Sequence, residues 1–221
     1  MDSRSYHLLE AKIANNPGDP RHIMPSILAS QTRVLDVGCG AGQTLLANYL
    51  AADTVAVGVD PDLSALLLGR QLGGGIRFVC ARGEALPFKS EYFDLVISRV
   101  ALPYMHIRVA LAEMCRVLKS DGSLWIVLHP LSMMVQGLKE SLLRLDMRDA
   151  IFRLYVLANG VTFHLFGKEW HLPSRPNCYG SFQTEGGIMN ALRGAGFENM
   201  EVDRNKKKFV VMAKKNKSLS G

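Results

Sequence analysis

The residue types that could do chemistry gather in one run, VLDVGCGAGQTLL, from Val34 to Leu46. An apolar stretch ends on Asp36, and Gly38, Gly40 and Gly42 then open into a helical pattern. Glycines in such a loop let the backbone turn tightly and approach a ligand, because no Cβ stands in the way. A dinucleotide fingerprint places glycines first, third and sixth. Here the sixth position is Gln43 and the third glycine comes one residue early. An acid ahead of the glycines repels a pyrophosphate and suits a cationic amino group. The pattern therefore points away from NAD. A second acid, Asp60, closes the run VAVGVD, where a carboxylate can accept both hydroxyls of a ribose. NAD-binding chains share that feature, so it indicates a nucleoside ligand and no more.

These residues need a scaffold, and the surrounding pattern supplies one. Arg33–Val37, Thr54–Val59, Ile76–Cys80, Phe93–Ser98 and Leu124–Leu128 read as apolar strands. Between them lie helical stretches, Gln43–Leu50, Leu63–Leu72 and Ile107–Leu118, the last closed by Lys119-Ser120-Asp121-Gly122. Near-continuous apolar strands alternating with helices predict a parallel, doubly wound α/β sheet covered on both faces. Ligands bind such sheets at the carboxyl ends of the strands. The first thirty residues predict two short helices broken by NNPGDP, which act as a cap. After Leu131 the rhythm changes to a long helix, Met133–Leu157, then an aromatic loop with Phe163, Phe166, Trp170 and Tyr179. Residues 131–183 thus read as an insertion able to lid the site. Thr184–Leu192 reads as a helix, and Phe197–Asp203 with Lys208–Ala213 as paired antiparallel strands.

With 221 residues, 48% hydrophobic and 21% charged, the chain fits a single globular domain with an insertion. No apolar run is long enough to span a bilayer, and Asp2 and Glu10 interrupt what would be a leader, so a cytoplasmic location is expected. Cys39, Cys80, Cys115 and Cys178 lack paired spacing, which disfavours a metal centre or disulfide framework and predicts buried or half-buried thiols. The net charge of +6 is concentrated in the run from Arg204 to Lys217. That cluster is the one hint of a nucleic-acid partner, and no aromatics interleave with it to stack on bases.

The motifs DVGCGAG, VGVD, EALPF, FDLVISRVAL and MCRVLKSDGSLWIV occur in an order and spacing that resemble the class I S-adenosylmethionine (SAM)-dependent methyltransferases. The likeness is to the small-molecule, type 11 branch that includes the quinone-biosynthesis enzymes. It runs from Arg33 to Leu128 and resumes at Gly196–Ala213. The resemblance implies a Rossmann-like sheet of seven strands, mostly parallel, completed by an antiparallel last strand. It implies SAM as cofactor. Asp36, Gly38, Cys39 and Gly40 would line its methionine end, Asp60 its ribose, and Pro61, Gly83 and Glu84 its adenine. Ser98 and Arg99 would close over the methionine portion. One departure is Arg82, where many relatives carry an Asp that accepts from the adenine amino group; arginine offers donors only.

Methyl transfer from a sulfonium needs positioning more than acid–base help, and a base only where the acceptor must lose a proton. His129, at the end of the fifth strand, His106 and Tyr104 are the candidates, with His164, His171 and Tyr179 in the insertion. The expected acceptor is a small molecule. A methyltransferase acting on RNA or protein, and a non-catalytic SAM-binding partner subunit, are the alternatives. Against a nucleic-acid substrate, there is no Pro-Cys dipeptide, and Pro103-Tyr104 lies too far beyond the fourth strand to match a base-amino methyltransferase loop.

Overall fold

In the computed structural model, residues 2–48, 50–170, 180–205 and 208–217 are described. Seven strands form one sheet in the order β3-β2-β1-β4-β5-β7-β6. The strands are β1 (Arg33–Val37), β2 (Val55–Asp60), β3 (Arg77–Cys80), β4 (Phe93–Arg99), β5 (Leu118–Val127), β6 (Phe197–Arg204) and β7 (Phe209–Lys215). All pairings from β3 to β5 are parallel, whereas β7 runs antiparallel to both β5 and β6. The helices are α1 (Ser3–Ala14), α2 (Gln43–Ala47), α3 (Leu63–Leu72), α4 (Ile107–Val117), α5 (Leu131–Leu143), α6 (Met147–Phe166) and α7 (Glu185–Ala195). This is the sheet expected from the sequence.

Strand alternation sorts the core into two halves. Leu35, Val37, Val57 and Val59 pack with α4 and α7 in the larger cluster. Val34, Ala56 and Ile97 point to the other face, with Leu45 of α2. Each such side chain, fully buried, contributes about 1.5–3 kcal/mol. Because side chains alternate with period two, Asp36 shares the face of Val34 and is carried into the interior under α2. Local sequence fixes the helix ends. Asp62 caps α3 by accepting from Ser64 N at 2.9 Å, Thr184 caps α7 by accepting from Gly187 N at 3.0 Å, and Gly167 and Gly196 end α6 and α7 in the left-handed conformation.

Four local expectations are corrected. The N-terminal segment holds one helix, not two: beyond α1 the chain from 22 to 28 is irregular, and Ile23 and Ile27 pack as an extended cover over the smaller core. Two further prolines, Pro20 and Pro25, hold that stretch out of a helix. The α2 helix ends at Ala47 instead of Leu50. The stretch Lys119–Gly122 is not a helix stop but the first part of β5, where Asp121 turns with φ 65°. Finally, Met133–Leu157 is broken between α5 and α6, with Leu145 at φ 55°, and α6 runs on to take in Phe163 and Phe166. The amide of Asp149 binds the Asp146 side chain, and that cap restarts the helix. Tyr179 lies outside the described residues.

Candidate active site

Strands β2 and β4 flank β1 on opposite sides, so the connections leaving β1 and β4 diverge and open a crevice at their carboxyl ends. Two adjoining hollows of about 240 and 220 Å³ fill it, sharing Gly38, Asp60, Ala101 and Tyr104 as walls. Cys39, Gly40, Thr44 and Arg99 complete the floor of the first. Pro61, Arg82, Gly83, Glu84 and Met105 line the second. Most of the residues singled out from sequence therefore converge in one place. Asp36 and Ser98 lie behind the walls, 1% and 0% exposed.

The glycine loop is held by the end of β2. Gly38 N and Cys39 N donate to Val59 O at 2.8 and 3.0 Å, and Gly40 N donates to Asp60 Oδ2 at 2.8 Å. Gly38 sits at φ 75°, and a Cβ there would come within 2.2 Å of Ala101 Cβ. At Gly40, with φ 55°, a Cβ would meet the His7 ring at 2.8 Å. Only glycine lets the loop fit under α1 and beside the turn after β4.

Electrostatically, Asp36 is the unusual member. Neither carboxylate oxygen has a hydrogen-bond partner. Burial lifts its pKa to about 7, with the Arg99 charge opposing, the Asp60 charge adding, and Thr44 giving only weak relief outside hydrogen-bond geometry. A buried carboxylate without a partner is costly, and a cation delivered by a ligand would cancel that cost. Asp60 still has acceptor capacity beside its bonds to Gly40 N and to Asp62 N at 2.9 Å. A buried carboxylate, a second carboxylate with spare acceptor capacity and a slot bounded by Pro61 and Gly83 are the groups that the ammonium, ribose and adenine of S-adenosylmethionine would need. Cys39, by contrast, is no nucleophile: burial, then the Asp36 and Asp60 charges, push its thiol well above the usual range.

The sequence did not mark α1 as a wall, yet Tyr6, His7 and Glu10 line the first hollow. The helix is pinned there. Arg99 Nη2 donates to Glu10 Oε2 at 2.8 Å and its Nε to Thr44 Oγ1 at 3.2 Å. Gln43 Nε2 and His7 Nδ1 lie 3.0 Å apart, and Ser3 Oγ donates to Asp62 Oδ2 at 3.1 Å. Apolar and polar residues alternating at helical spacing in SRSYHLLEAKIA were the available signal. Glu169 was missed as well. Its side chain, with no exposed surface, accepts from Ile107 N at 3.0 Å and stands 3.7 Å from His106 Nδ1. It caps α4, and burial raises its carboxyl to about 7.

The remaining candidates separate. Tyr104 lines both hollows. The amide of His106 donates to Glu84 Oε1 at 2.9 Å, and Glu84 also receives Arg82 Nη2 at 3.2 Å. Despite burial, those two bonds hold the Glu84 carboxyl below its usual range. His129, half-buried after β5, is outside both walls; burial lowers its pKa and the charge of Glu10 partly restores it. His164 binds Thr184 Oγ1 at 2.6 Å, away from the crevice. Trp170 is tied through its backbone to Asn159. His171 and Cys178 lie outside the described residues. Of the other cysteines, Cys39 and Cys115 are buried as expected, whereas Cys80 is exposed. No cluster able to hold a metal ion occurs among the described residues.

Comparison with known proteins gives this geometry relatives. Residues 35–126 match the family described as methyltransferase domain. The uncharacterized methyltransferase YcgJ of Bacillus subtilis is 33% identical over 106 residues, covering 45% of this chain and 42% of the relative. The ubiquinone/menaquinone biosynthesis C-methyltransferase UbiE of Stutzerimonas stutzeri is 34% identical over 104 residues, covering 43% and 41%. The chain thus spans about two-fifths of the length of these relatives. The fold likeness extends much further: a SAM-dependent methyltransferase structure from Thermotoga maritima, described as a possible histamine N-methyltransferase, superposes with a TM-score of 0.59 at 16% identity, covering 96% of this chain and 90% of that one. Residues 35–126 of this chain therefore match a methyltransferase domain, and the chain shares the fold of a solved SAM-dependent methyltransferase.

Proposed function

We propose that this protein transfers the methyl group of S-adenosylmethionine to a small-molecule acceptor, releasing S-adenosylhomocysteine. One observation carries the reading: the buried, partnerless Asp36 carboxylate behind a glycine loop that is itself tied to Asp60. When bound, the cofactor supplies an electrophilic sulfonium methyl. Everything else falls to the chain. Asp36 holds the ammonium, Gly38, Cys39 and Gly40 admit the methionine end, and Asp60 accepts the ribose hydroxyls. Pro61, Gly83 and Glu84 border the adenine, with the Glu84 carboxylate in the place of the missing acid at Arg82. Ser98 and Arg99 back the methionine portion, Arg99 by keeping α1 in place.

The N-terminal segment 1–30 acts as the cap and the insertion 131–183 as the acceptor side. Supporting this, α1 supplies walls of the first hollow, and Glu169 reaches the loop that carries His106. Tyr104, at the junction of the hollows, is placed to orient an acceptor. Burial favours the neutral form of His129, as a general base requires, but His129 lies outside the walls of both hollows. Among the described residues, a nucleic-acid substrate finds little support. Lys208 pairs with Asp203, Arg204 with Glu185, Lys214 and Lys217 with Asp121, and Lys215 with Glu91. Among the described residues, the basic C-terminal stretch is locally neutralised.

Calorimetric titration with SAM and S-adenosylhomocysteine, with NAD as control, tests the reading. Micromolar binding of the SAM pair alone is the expected outcome, followed by methyl transfer in a screen of small phenols, quinones and amines. Binding of NAD alone overturns the cofactor. Binding of SAM with turnover only on RNA or protein overturns the acceptor class.

A further inference from the structure

The α5–α6 hairpin carries an apolar surface that stands open among the described residues. On α5, Leu131, Val135, Leu138 and Leu142 recur at a 4-3-4 spacing. On α6, Met147, Ile151, Leu154, Ala158, Val161 and Leu165 recur at 4-3-4-3-4 along the whole helix. These are the spacings of a coiled-coil seam, where every position wants a facing helix. Yet the seam on α6 is open: Ile151 is 63% exposed, Leu154 53%, Val161 53% and Leu165 62%. The body of the protein is packed on the opposite side of α6, through Val156, Asn159, Gly160 and Phe163.

The two seams face the same way. Gly137 and Ser141 turn towards α6, and Ala150 and Arg153 towards α5: Ser141 Oγ receives Arg153 Nε at 3.1 Å. A hundred degrees per residue places each seam about a quarter-turn from that contact, in the same rotational sense on both helices. The helices run antiparallel, so equal quarter-turns bring both seams onto one side. The result is a continuous two-helix face, apolar from end to end. The turn reinforces the picture. Leu145 is 82% exposed and sits at φ 55°, a conformation that glycine or asparagine would take at less cost.

We propose that this face pairs two copies of the chain, hairpin against hairpin, in a four-helix arrangement about a two-fold axis. Three observations select this occupant. Two parallel rows at heptad spacing match a second pair of helices, which pack at about 20° in such bundles. The exposed seam side chains together offer apolar area of the order of 800 Å² per partner, the size of a standard interface. Charge disfavours a strongly charged target: on the hairpin Lys139, Arg144, Arg148 and Arg153 stand against Glu140, Asp146 and Asp149, a net charge of only +1, so little there selects an anionic bilayer or a polyanion. Two identical, nearly neutral faces meet without repulsion, as an isologous contact requires. Ala158, the smallest seam residue, lies near the middle of α6, where the helices would cross most closely.

Sedimentation velocity on the full chain across a hundredfold concentration range tests this, and does not depend on the reading of the cofactor site. Wild type sediments at twice the chain mass. The double variant Ile151→Glu, Leu154→Glu sediments as a monomer with unchanged SAM affinity and a melting temperature that no longer depends on protein concentration, because both positions point away from the body. A monomeric wild type at every concentration overturns the proposal, and so does a double variant that stays dimeric. Flotation with vesicles of phosphatidylglycerol by a monomeric wild type would assign the face to lipid instead.

Discussion

Asp36 concentrates the argument at the scale of single residues. Burial raises its carboxyl from 3.8 to about 7, so the folded protein binds that proton more tightly than the unfolded chain does. The associated stabilisation is complete below the unfolded value and is lost as pH rises through about 7. Asp36→Asn should therefore melt higher than wild type at pH 8, by less at pH 5, and with little difference only below about pH 4, an upper bound at pH 8 being about 4 kcal/mol. The same variant should lose SAM affinity by at least about a hundredfold, since the ammonium loses its counter-charge. For wild type, the dissociation constant for SAM should rise towards tenfold per unit as pH falls below 7, and in the variant it should not change. A flat profile in wild type would separate Asp36 from the cofactor. The acid was legible in the sequence because it ends an apolar run just before the glycines. Its partnerless state was not, since burial is a property of the sheet. Arg82 shows the converse: its donors-only chemistry was plain from sequence, but only the structure hands the neighbouring Glu84 to His106 N as well.

Elements were legible where one physical signal set them. Leu63–Leu72 was read to the residue because Asp62 caps one end and glycines follow the other. The α5–α6 break was not, because the apolar spacing continues through it and Leu145 adopts a backbone conformation its side chain does not announce. The helix ends that matter most for the site are set at long range. Glu169 caps α4 from 62 residues away. Glu169→Ala should cost about 1 kcal/mol, the usual worth of a cap. Glu169→Gln keeps an acceptor for Ile107 N and sheds a charge whose burial penalty grows as pH rises from about 4.5 and is complete above about 7. It should be close to neutral at pH 4 and stabilising at pH 8, read from chemical denaturation at both. The Glu10–Arg99 pair makes a second test. Both side chains are largely buried, 18% and 10% exposed, so removing one leaves the other charge stranded. A double-mutant cycle on SAM binding should show a coupling of about 1 kcal/mol or more, while independent effects would mean that α1 is not held over the cofactor by this pair.

For the whole molecule, the sheet and the cap should differ in how they open. The strands β1, β4 and β5 lie in the centre of the sheet with both faces covered, so their amides exchange only when the protein unfolds globally. The α1 helix touches the rest mainly through polar contacts to Arg99, Gln43 and Asp62, and only Ile13 and Ala14 are buried apolar anchors. It has the composition of a segment that lifts and closes at small cost. A ligand bound beneath it can bias that equilibrium only through contacts the open state lacks. Residues 38–43 should respond with α1, because Gly40 lies against His7 and bonds Asp60. Hydrogen exchange with and without saturating SAM should therefore show added protection in Ser3–Ala14 and in the loop 38–43, with β1 and β5 unchanged and α5 unaffected. Protection spread evenly over the chain would mean that the cofactor acts by global stabilisation alone. Protection of the loop without α1 would make the helix a fixed wall, and entry would then have to be sought beside Tyr104.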